Sequence, residues 1–263
     1  MRNRLPACLA ALFFVLFSTA CAVTNSSATR ASVAAGRSPV FDARVRLAGG
    51  KYEHDIDGSL QDKTSAGHFG LLAEGSTHSG IGGGISLEVT NSDDDLFENQ
   101  IVDSDQATLV EIDPFFLYRV RGGDRFQMPL RFGPWIHVLT LDDQGSSDEL
   151  TWVSLGLRLE VEPEVVLART DDFEFSLFTA LSLAGGGTEV HLDSSGGDED
   201  FDTDAGEFGF EIGPRFRWSH FEAGFSFLHR AVEFDESDPE NNVTVRGVDA
   251  TFNALAVSFG GGF

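Results

Sequence analysis

The chain has 263 residues, in which 42 Asp and Glu outnumber 18 Lys and Arg and give a formal net charge of -24 at pH 7. The sequence contains no basic stripe to neutralise phosphates, which argues against nucleic-acid binding. Hydrophobic residues make up 41% of the chain, too many for a disordered acidic protein. The 29 Gly and 24 Phe favour β-sheets over helices.

The first residues have the pattern of a secretory signal peptide. A basic start at residues 1–4 precedes an apolar run at 5–17, and small residues lead to Ala20. This apolar run is too short to span a bilayer. Cleavage after Ala20 would place Cys21 first in the mature chain, which resembles a lipoprotein signal and would make Cys21 a lipidation site. Ordinary cleavage after Ala20 or Ala22, without a lipid, is the alternative.

Period-two alternation of apolar and polar residues predicts β-strands in the rest of the chain. Residues 21–40 are rich in Ser, Ala and Thr and have no periodicity, so we expect a flexible N-terminal segment there. From residue 41 onward about ten runs alternate. These runs lie near 41–53, 64–74, 79–90, 106–120, 125–141, 150–168, 173–187, 205–218, 220–234 and 248–263. No apolar run of about 18 residues occurs, so a helical membrane protein is excluded.

The lengths of the links between these runs predict how the strands connect. Links after the second, fourth, sixth and eighth runs are short, whereas the others are longer and acidic. Strict short–long alternation is typical of an up-and-down antiparallel transmembrane β-barrel, with short periplasmic turns and longer outer loops. A soluble, lipid-tethered β-sandwich would also contain alternating strands, but it has no reason to obey this rule. We therefore expect an all-β barrel of about ten strands over residues 41–263, with eight or twelve strands as alternatives.

Aromatic residues beside the short turns fit a periplasmic girdle at the membrane interface. The predicted girdle consists of Tyr118, Phe126, Phe173, Trp218, Phe221 and Phe263. In the last run one face carries a pattern that resembles the C-terminal signal read by the barrel-assembly machinery: Leu255, Val257, Phe259, Gly261 and Phe263. The chain as a whole resembles a small bacterial outer-membrane β-barrel protein of the porin-like superfamily. That resemblance implies the outer membrane of a Gram-negative bacterium, with the lipid bilayer and the barrel-assembly machinery as partners.

If the apolar face of each strand meets lipid, the opposite face lines the lumen. By this parity the inward basic residues are Arg44, Arg46, Arg119, Arg131, Arg158, Arg215, Arg217 and Arg230, and the inward acids are Glu88, Glu111, Asp113, Glu160, Glu162, Glu164, Glu174, Glu207, Glu211 and Glu222. A barrel of about ten strands is only slightly wider than one filled by side chains, so opposite charges should meet and pair across it. We expect an ion-paired, largely plugged lumen. A narrow cation-preferring channel is the alternative.

The longer links carry most of the negative charge. Residues 54–63, 91–105, 142–149, 188–204 and 235–247 hold 24 of the 42 acidic residues. An acidic outer surface attracts divalent cations, and such cations or lipopolysaccharide are its expected partners. Asp200, Asp202 and Asp204 alternate like the ligands of a calcium loop, although no Glu follows at the EF-hand spacing. A solvated acidic loop without a metal is the alternative there.

No catalytic motif is evident in the sequence, so we expect a protein that is not an enzyme and needs no cofactor. Some outer-membrane barrels are enzymes: omptin proteases use Asp and His at the outer rim, and lipid A-modifying barrels use His and Ser. Here His54 with Asp55, and His191 with Asp193, are predicted to lie near the rim, so a surface-rim hydrolase is the alternative. Neither a nucleophile elbow nor a zinc-ligand spacing of His occurs. The expected role is structural, or interaction through the acidic surface.

Overall fold

The computed structural model describes residues 41–56, 60–93, 106–142, 149–194, 197–236 and 247–262. The predicted signal peptide, the predicted flexible segment with Cys21, and Phe263 lie outside the described residues. Nearly all of the described part is β-strand. The strands are β1 (Phe41–Ile56), β2 (Leu60–Ser76), β3 (Ile81–Ser92), β4 (Gln106–Gly122), β5 (Phe126–Asp142), β6 (Glu149–Val161), β7 (Glu164–Arg169), β8 (Phe173–Ser194), β9 (Gly197–Trp218), β10 (Phe221–Phe234) and β11 (Val248–Gly262).

These strands form one closed barrel. Apart from β6 and β7, strands that follow one another along the chain pair antiparallel, and β1 pairs with β11 over almost the whole length of both strands. β6 and β7 are two halves of one barrel strand, because both lie between β5 and β8. The break between them falls at Glu162 and Pro163, where the proline has no amide hydrogen to donate to a ladder. The barrel therefore has ten strands.

The predicted all-β, up-and-down barrel of ten strands is confirmed by this pairing. The alternatives of eight or twelve strands are wrong. The β-sandwich alternative is also wrong, because the described strands make a single sheet that closes on itself. Closure removes the free strand edges through which open sheets associate.

Two of the five long links are much shorter than the sequence predicts. Instead of an acidic loop over 188–204, β8 continues to Ser194 and β9 begins at Gly197. Likewise, β1 ends at Ile56 and β2 begins at Leu60. Prediction from apolar alternation missed these extensions because a strand that rises into water keeps its backbone ladder while its outer side chains become polar. Asp200, Asp202 and Asp204 lie on strand β9 and not in a loop as predicted, while calcium binding by these residues stays a prediction.

The barrel has two zones with opposite placement of apolar side chains. In the lower barrel, next to the short turns (41–49 in β1), Arg46 points inward and Leu47 outward. In the upper barrel, next to the long links (50–56 in β1), Tyr52 points inward and Glu53 outward. Inward apolar residues of the upper barrel form the hydrophobic core of the molecule. A bilayer around the lower barrel and water around the upper barrel would account for this inversion.

Candidate functional site

The lumen of the lower barrel is filled by charged side chains. Every residue predicted to line it points inward, and Asp42 and Glu74 join the set. These two residues were not predicted from the sequence, although the alternation places both on the inward face. Asp42 precedes Arg44 by two residues on β1, and Glu74 precedes the last inward residue of β2 by two. The inward set thus holds eight arginines and twelve carboxylates, and a ninth arginine, Arg169, pairs with Glu174 beside the short turn between β7 and β8.

The lower layer of ion pairs surrounds two carboxylates. The side chain of Glu74 is fully buried and accepts from Arg119 at 2.5 Å and from Arg131 at 2.8 Å. Glu162 contacts Arg44 at 3.3 Å, Arg131 at 2.8 Å and Arg215 at 2.7 Å. Each of these carboxylates therefore links strands from different sides of the barrel, and the layer acts as an internal crosslink.

Below this layer, close to the short turns, a second group of pairs continues the network. Arg217 contacts Glu164, Glu174 and Glu222, each at 2.7 Å. Arg215 contacts Glu164 at 2.9 Å and Glu222 at 3.1 Å, and its guanidinium lies 4.1 Å from the centre of the Phe178 ring. Planar guanidiniums suit such multiple pairing with carboxylates.

The upper layer of ion pairs is a square of two arginines and two glutamates. Arg158 and Arg230 each contact both Glu111 and Glu207; the Arg158–Glu111 distance is 3.2 Å and the Arg230–Glu207 distance is 2.9 Å. Glu88 extends the square, at 2.7 Å from Arg230. These side chains come from five different strands, so this layer links strands across the bore.

Between the two layers lies a small chamber. It consists of two adjoining cavities of about 60 and 40 Å³, which share Arg46, Glu88, Glu160 and Glu211 in their walls. A single water needs roughly 10–15 Å³ measured in this way, so the chamber has room for a few waters. It offers no room for a sugar or an amino acid.

An aromatic plug lies above the upper ion-pair layer. The side chains of Trp135, His137, Trp152 and Phe234 are almost completely buried. Ring centroids are 5.1 Å apart for Trp135 and His137, and 5.7 Å apart for His137 and Phe234 and for Trp152 and Phe234. Trp135 Nε1 donates to Glu111 at 3.2 Å, which ties the plug to the ion pairs. Sequence analysis missed this plug, although Trp135 and His137 continue the inward parity of Arg131 on β5.

The two predicted acid–base pairs at the rim are not formed as predicted. His54 points inward and is buried, with Nδ1 3.3 Å from the hydroxyl of Tyr52. Asp55 points outward and accepts from Gln61 at 2.5 Å, so His54 and Asp55 lie on opposite faces of β1. His54 lies above the apolar belt, and burial lowers the pKa of its imidazole to about 4. The side chain of Asp193, predicted to pair with His191, lies outside the described residues.

His191 instead pairs across the β8–β9 hairpin. Its Nδ1 lies 2.6 Å from Asp200, and its Nε2 lies 3.8 Å from Glu189. One ligand atom of each of these three residues lies within 4.8 Å of the others, all on the outer face of the hairpin. Of the predicted calcium set, Asp200 joins this cluster, while Asp202 and Asp204 follow it along the same exposed face of β9.

An apolar belt surrounds the lower barrel on the outside. Its most exposed members include Phe116, Leu155, Leu183 and Leu255, which are 75%, 65%, 60% and 74% exposed. At its lower edge, the described residues of the predicted girdle all point outward beside the short turns: Tyr118, Phe126, Phe173, Trp218 and Phe221. Neighbouring rings touch along this edge, as between Phe173 and Trp218 at 5.5 Å. The described residues include no helix of the length and apolarity needed to cross a membrane.

Comparison with known proteins gives a structural likeness only. No family model matches the sequence. No curated protein matches it either. Among solved structures, the outer membrane protease OmpT from Escherichia coli is similar, with a TM-score of 0.52 and 10% identity, over 85% of this chain and 96% of that chain. The transport unit of the autotransporter AIDA-I from Escherichia coli has a TM-score of 0.42 and 14% identity, over 84% of this chain and 90% of that chain.

The fold defines the class of protein: the chain has the fold of the outer-membrane β-barrel proteins. At 10% identity the likeness to OmpT extends to the fold and not to an activity.

Proposed function

We propose that this protein is an integral outer-membrane β-barrel with a sealed lumen and a structural or surface-interaction role. The observation that carries the proposal is the inversion between the two zones of the barrel, with charged residues inside and apolar residues outside in the lower barrel. In water, exposure of so wide an apolar belt would raise the free energy of the folded protein. A bilayer around the lower barrel removes that penalty.

Sealing of the lumen is supported by three consecutive obstructions. The lower ion-pair layer, the upper square of Arg158, Arg230, Glu111 and Glu207, and the aromatic plug each span the bore. Hydrated ions need a continuous water path, and ion pairs lie above and below the chamber between the two ion-pair layers. A barrel with a sealed lumen functions through contacts of its outer surface and not through transport along its lumen.

The outer face of the upper barrel supplies that surface. It is mainly acidic above the apolar belt, with Glu53, Asp55, Glu189, Asp200, Asp202, Asp204, Glu233 and Asp249 directed outward. Such a surface concentrates divalent cations, which also bind the phosphates of lipopolysaccharide. We propose divalent cations and lipopolysaccharide as partners of this face, and we propose no catalytic role for it.

A narrow cation-preferring channel is the second candidate. The excess of carboxylates over arginines in the lumen favours it, since rings of carboxylates select cations. This role requires the arginine side chains and the aromatic plug to move out of the bore.

Mobility in a dodecyl sulfate gel tests the membrane barrel. A closed barrel stays folded in that detergent until it is heated, so unheated and boiled samples should run differently. Identical mobility would contradict the proposal.

A pair of charged substitutions in the apolar belt tests which part of the barrel faces lipid. Leu155→Arg with Leu183→Arg should prevent insertion into lipid vesicles. The control variant Thr108→Arg with Thr151→Arg, at outward polar positions of the upper barrel, should insert normally.

A further inference from the structure

Two glycines that face each other across β1 and β2 leave a dent in the outer wall of the barrel. Gly49 of β1 pairs with Gly67 of β2, and both residues are exposed on the outer face. A methyl group added at either position would meet no atom within 4 Å, so the space over this stretch of backbone is open. The dent lies at the boundary between the lower and upper barrels.

The frame of this dent is apolar on its lower side and polar on its upper side. Leu47 and Phe69 lie directly below the two glycines, and Leu255 lies beside them on β11; all three side chains are exposed. Lys51 and Ser65 lie directly above, and Lys51 Nζ donates to Ser65 Oγ at 3.1 Å. The dent therefore lies where the apolar belt ends and the polar outer face begins, which is the level of lipid head groups.

The ammonium group of Lys51 is the uncompensated charge at this level. The other lysine of the chain, Lys63, is paired with Glu53 at 2.9 Å. Among the ion pairs of the described residues, Lys51 has no carboxylate partner, and the residues that pair with it across the sheet, Asn253 and Ser65, are uncharged. On a mainly acidic outer face, the dent therefore presents an exposed cation that can attract an anion.

The residues above the dent can donate several hydrogen bonds to one ligand. Asn253 Oδ1 accepts from His229 Nδ1 at 2.8 Å, so the NH₂ group of Asn253 can donate to another acceptor. Ser65 Oγ accepts from Lys51, so the hydroxyl hydrogen of Ser65 can also donate. An amide, an ammonium and a hydroxyl thus stand on β11, β1 and β2, and they suit the oxygens of a phosphate and of the sugar that carries it.

We propose that this dent binds the phosphorylated sugar of lipid A, the membrane anchor of lipopolysaccharide. The ammonium of Lys51 pairs with the phosphate, the sugar lies over the bare backbone of the two glycines, and the acyl chains follow the apolar belt below. The dent is at the end of the belt next to the long links, which is the outer side of such a barrel, where lipopolysaccharide and not phospholipid supplies the phosphates. This inference rests on the proposed function, and it gives lipopolysaccharide a direct contact that needs no bridging cation.

Binding of diphosphoryl lipid A to the full chain, folded in detergent micelles, tests the charge at this site. A chelator is present, so that divalent cations cannot bridge the lipid to the acidic face, and bound lipids are counted by native mass spectrometry. The wild type should retain one lipid A in preference to phosphatidylglycerol. Lys51→Gln should weaken that binding at least fivefold, whereas the charge-neutral control Lys63→Gln with Glu53→Gln should bind like the wild type.

A second pair of variants tests the shape of the site without changing any charge. Gly67→Leu fills the dent and should also weaken lipid A binding at least fivefold. Gly187→Leu is the matched control, because Gly187 is exposed on the outer face of β8 and a methyl group there would also meet no atom within 4 Å. This control should bind lipid A like the wild type.

Three results would overturn the inference. The first is lipid A binding that survives both Lys51→Gln and Gly67→Leu. The second is equal affinity for phosphatidylglycerol, which would mean that the dent does not recognise the phosphorylated sugar. The third is binding that disappears with the chelator and returns with Mg²⁺, which would assign the lipid to the acidic face. The folded, heat-shifted gel band is recorded for every variant: its absence in the wild type contradicts the proposed function, whereas a heat-shifted wild type without bound lipid A contradicts this inference alone.

Discussion

The lower and upper barrels fill the same bore with different kinds of side chain. In the lower barrel the bore contains arginine–carboxylate pairs such as Arg215–Glu162 at 2.7 Å. In the upper barrel it contains rings and aliphatic side chains around Trp135 and Phe234. Buried ion pairs add little net stability compared with apolar packing, but breaking one leaves a charge without compensation. The interior of the lower barrel is therefore expected to tolerate mutation less well than that of the upper barrel.

The largest loss in the free energy of unfolding is expected when Arg230, in the upper ion-pair layer, is replaced. Arg230→Ala leaves Glu88, Glu111 and Glu207 with a charge deficit in the bore and should lower the free energy of unfolding by about 3–5 kcal/mol. This change in the free energy of unfolding is measured by urea unfolding in micelles, followed by tryptophan fluorescence.

The control distinguishes charge from packing. Arg230→Ala with Glu207→Gln removes one charge of each sign with the same loss of volume at residue 230, and it should recover part of the lost stability. If the double variant is as unstable as Arg230→Ala, buried charge is not the cause.

A slightly smaller loss in the free energy of unfolding is expected when an apolar residue of the upper barrel is truncated. Leu139 is fully buried in the apolar core, and Leu139→Ala should cost about 3 kcal/mol through lost burial and a cavity. The same urea experiment applies. Because Leu139→Ala exposes no charge, the loss in the free energy of unfolding should be equal at low and high salt. A strong salt dependence of this loss would contradict apolar packing in the upper barrel.

The upper barrel should also be sensitive to acid. Burial lowers the pKa of His54 to about 4 in the folded chain, below its ordinary value of 6.5. The contribution of His54 is therefore fully present above pH 6.5 and is lost as the pH falls towards 4, on the order of 3 kcal/mol in total.

Unfolding at a series of pH values measures this contribution. His54→Gln should make the profile less steep over that range. An unchanged slope in His54→Gln would show that His54 is not the group that titrates.

The smallest effect is expected for an ion pair on the outer face. Lys63 and Glu53 lie 2.9 Å apart, with side chains 54% and 45% exposed. Solvent screens such a pair, so Lys63→Ala should change the free energy of unfolding by less than about 1 kcal/mol. A loss comparable with that of Arg230→Ala would contradict the contrast between buried and exposed pairs.

The sequence predicts the lower barrel better than the upper one, for a physical reason. Where lipid is expected outside, apolar and charged residues alternate strictly, and the inward positions of Arg44, Arg158 and Glu207 follow from parity alone. In the upper barrel the outer residues are polar and the inner ones apolar. The same parity continues, but a search for outward apolar faces stops at Lys51 in β1 and at Gly187 in β8.

Contacts between strands distant in sequence could not be predicted. The pairing of Arg230 with Glu88, 142 residues away, depends on closure of the barrel and on the register of every strand between them. The stacking of His137 on Phe234 has the same origin. Sequence parity predicts which residues enter the bore, and only the closed sheet determines which of them meet.

Single-channel recording in planar bilayers tests the central claim, a sealed lumen, most directly. Vesicles that contain the heat-shifted, folded protein are fused to the bilayer, so that insertion is established independently of current. A sealed lumen should give no conductance steps from the wild type in potassium chloride at neutral pH. Reproducible, cation-selective steps would contradict the sealed lumen and support the narrow channel instead.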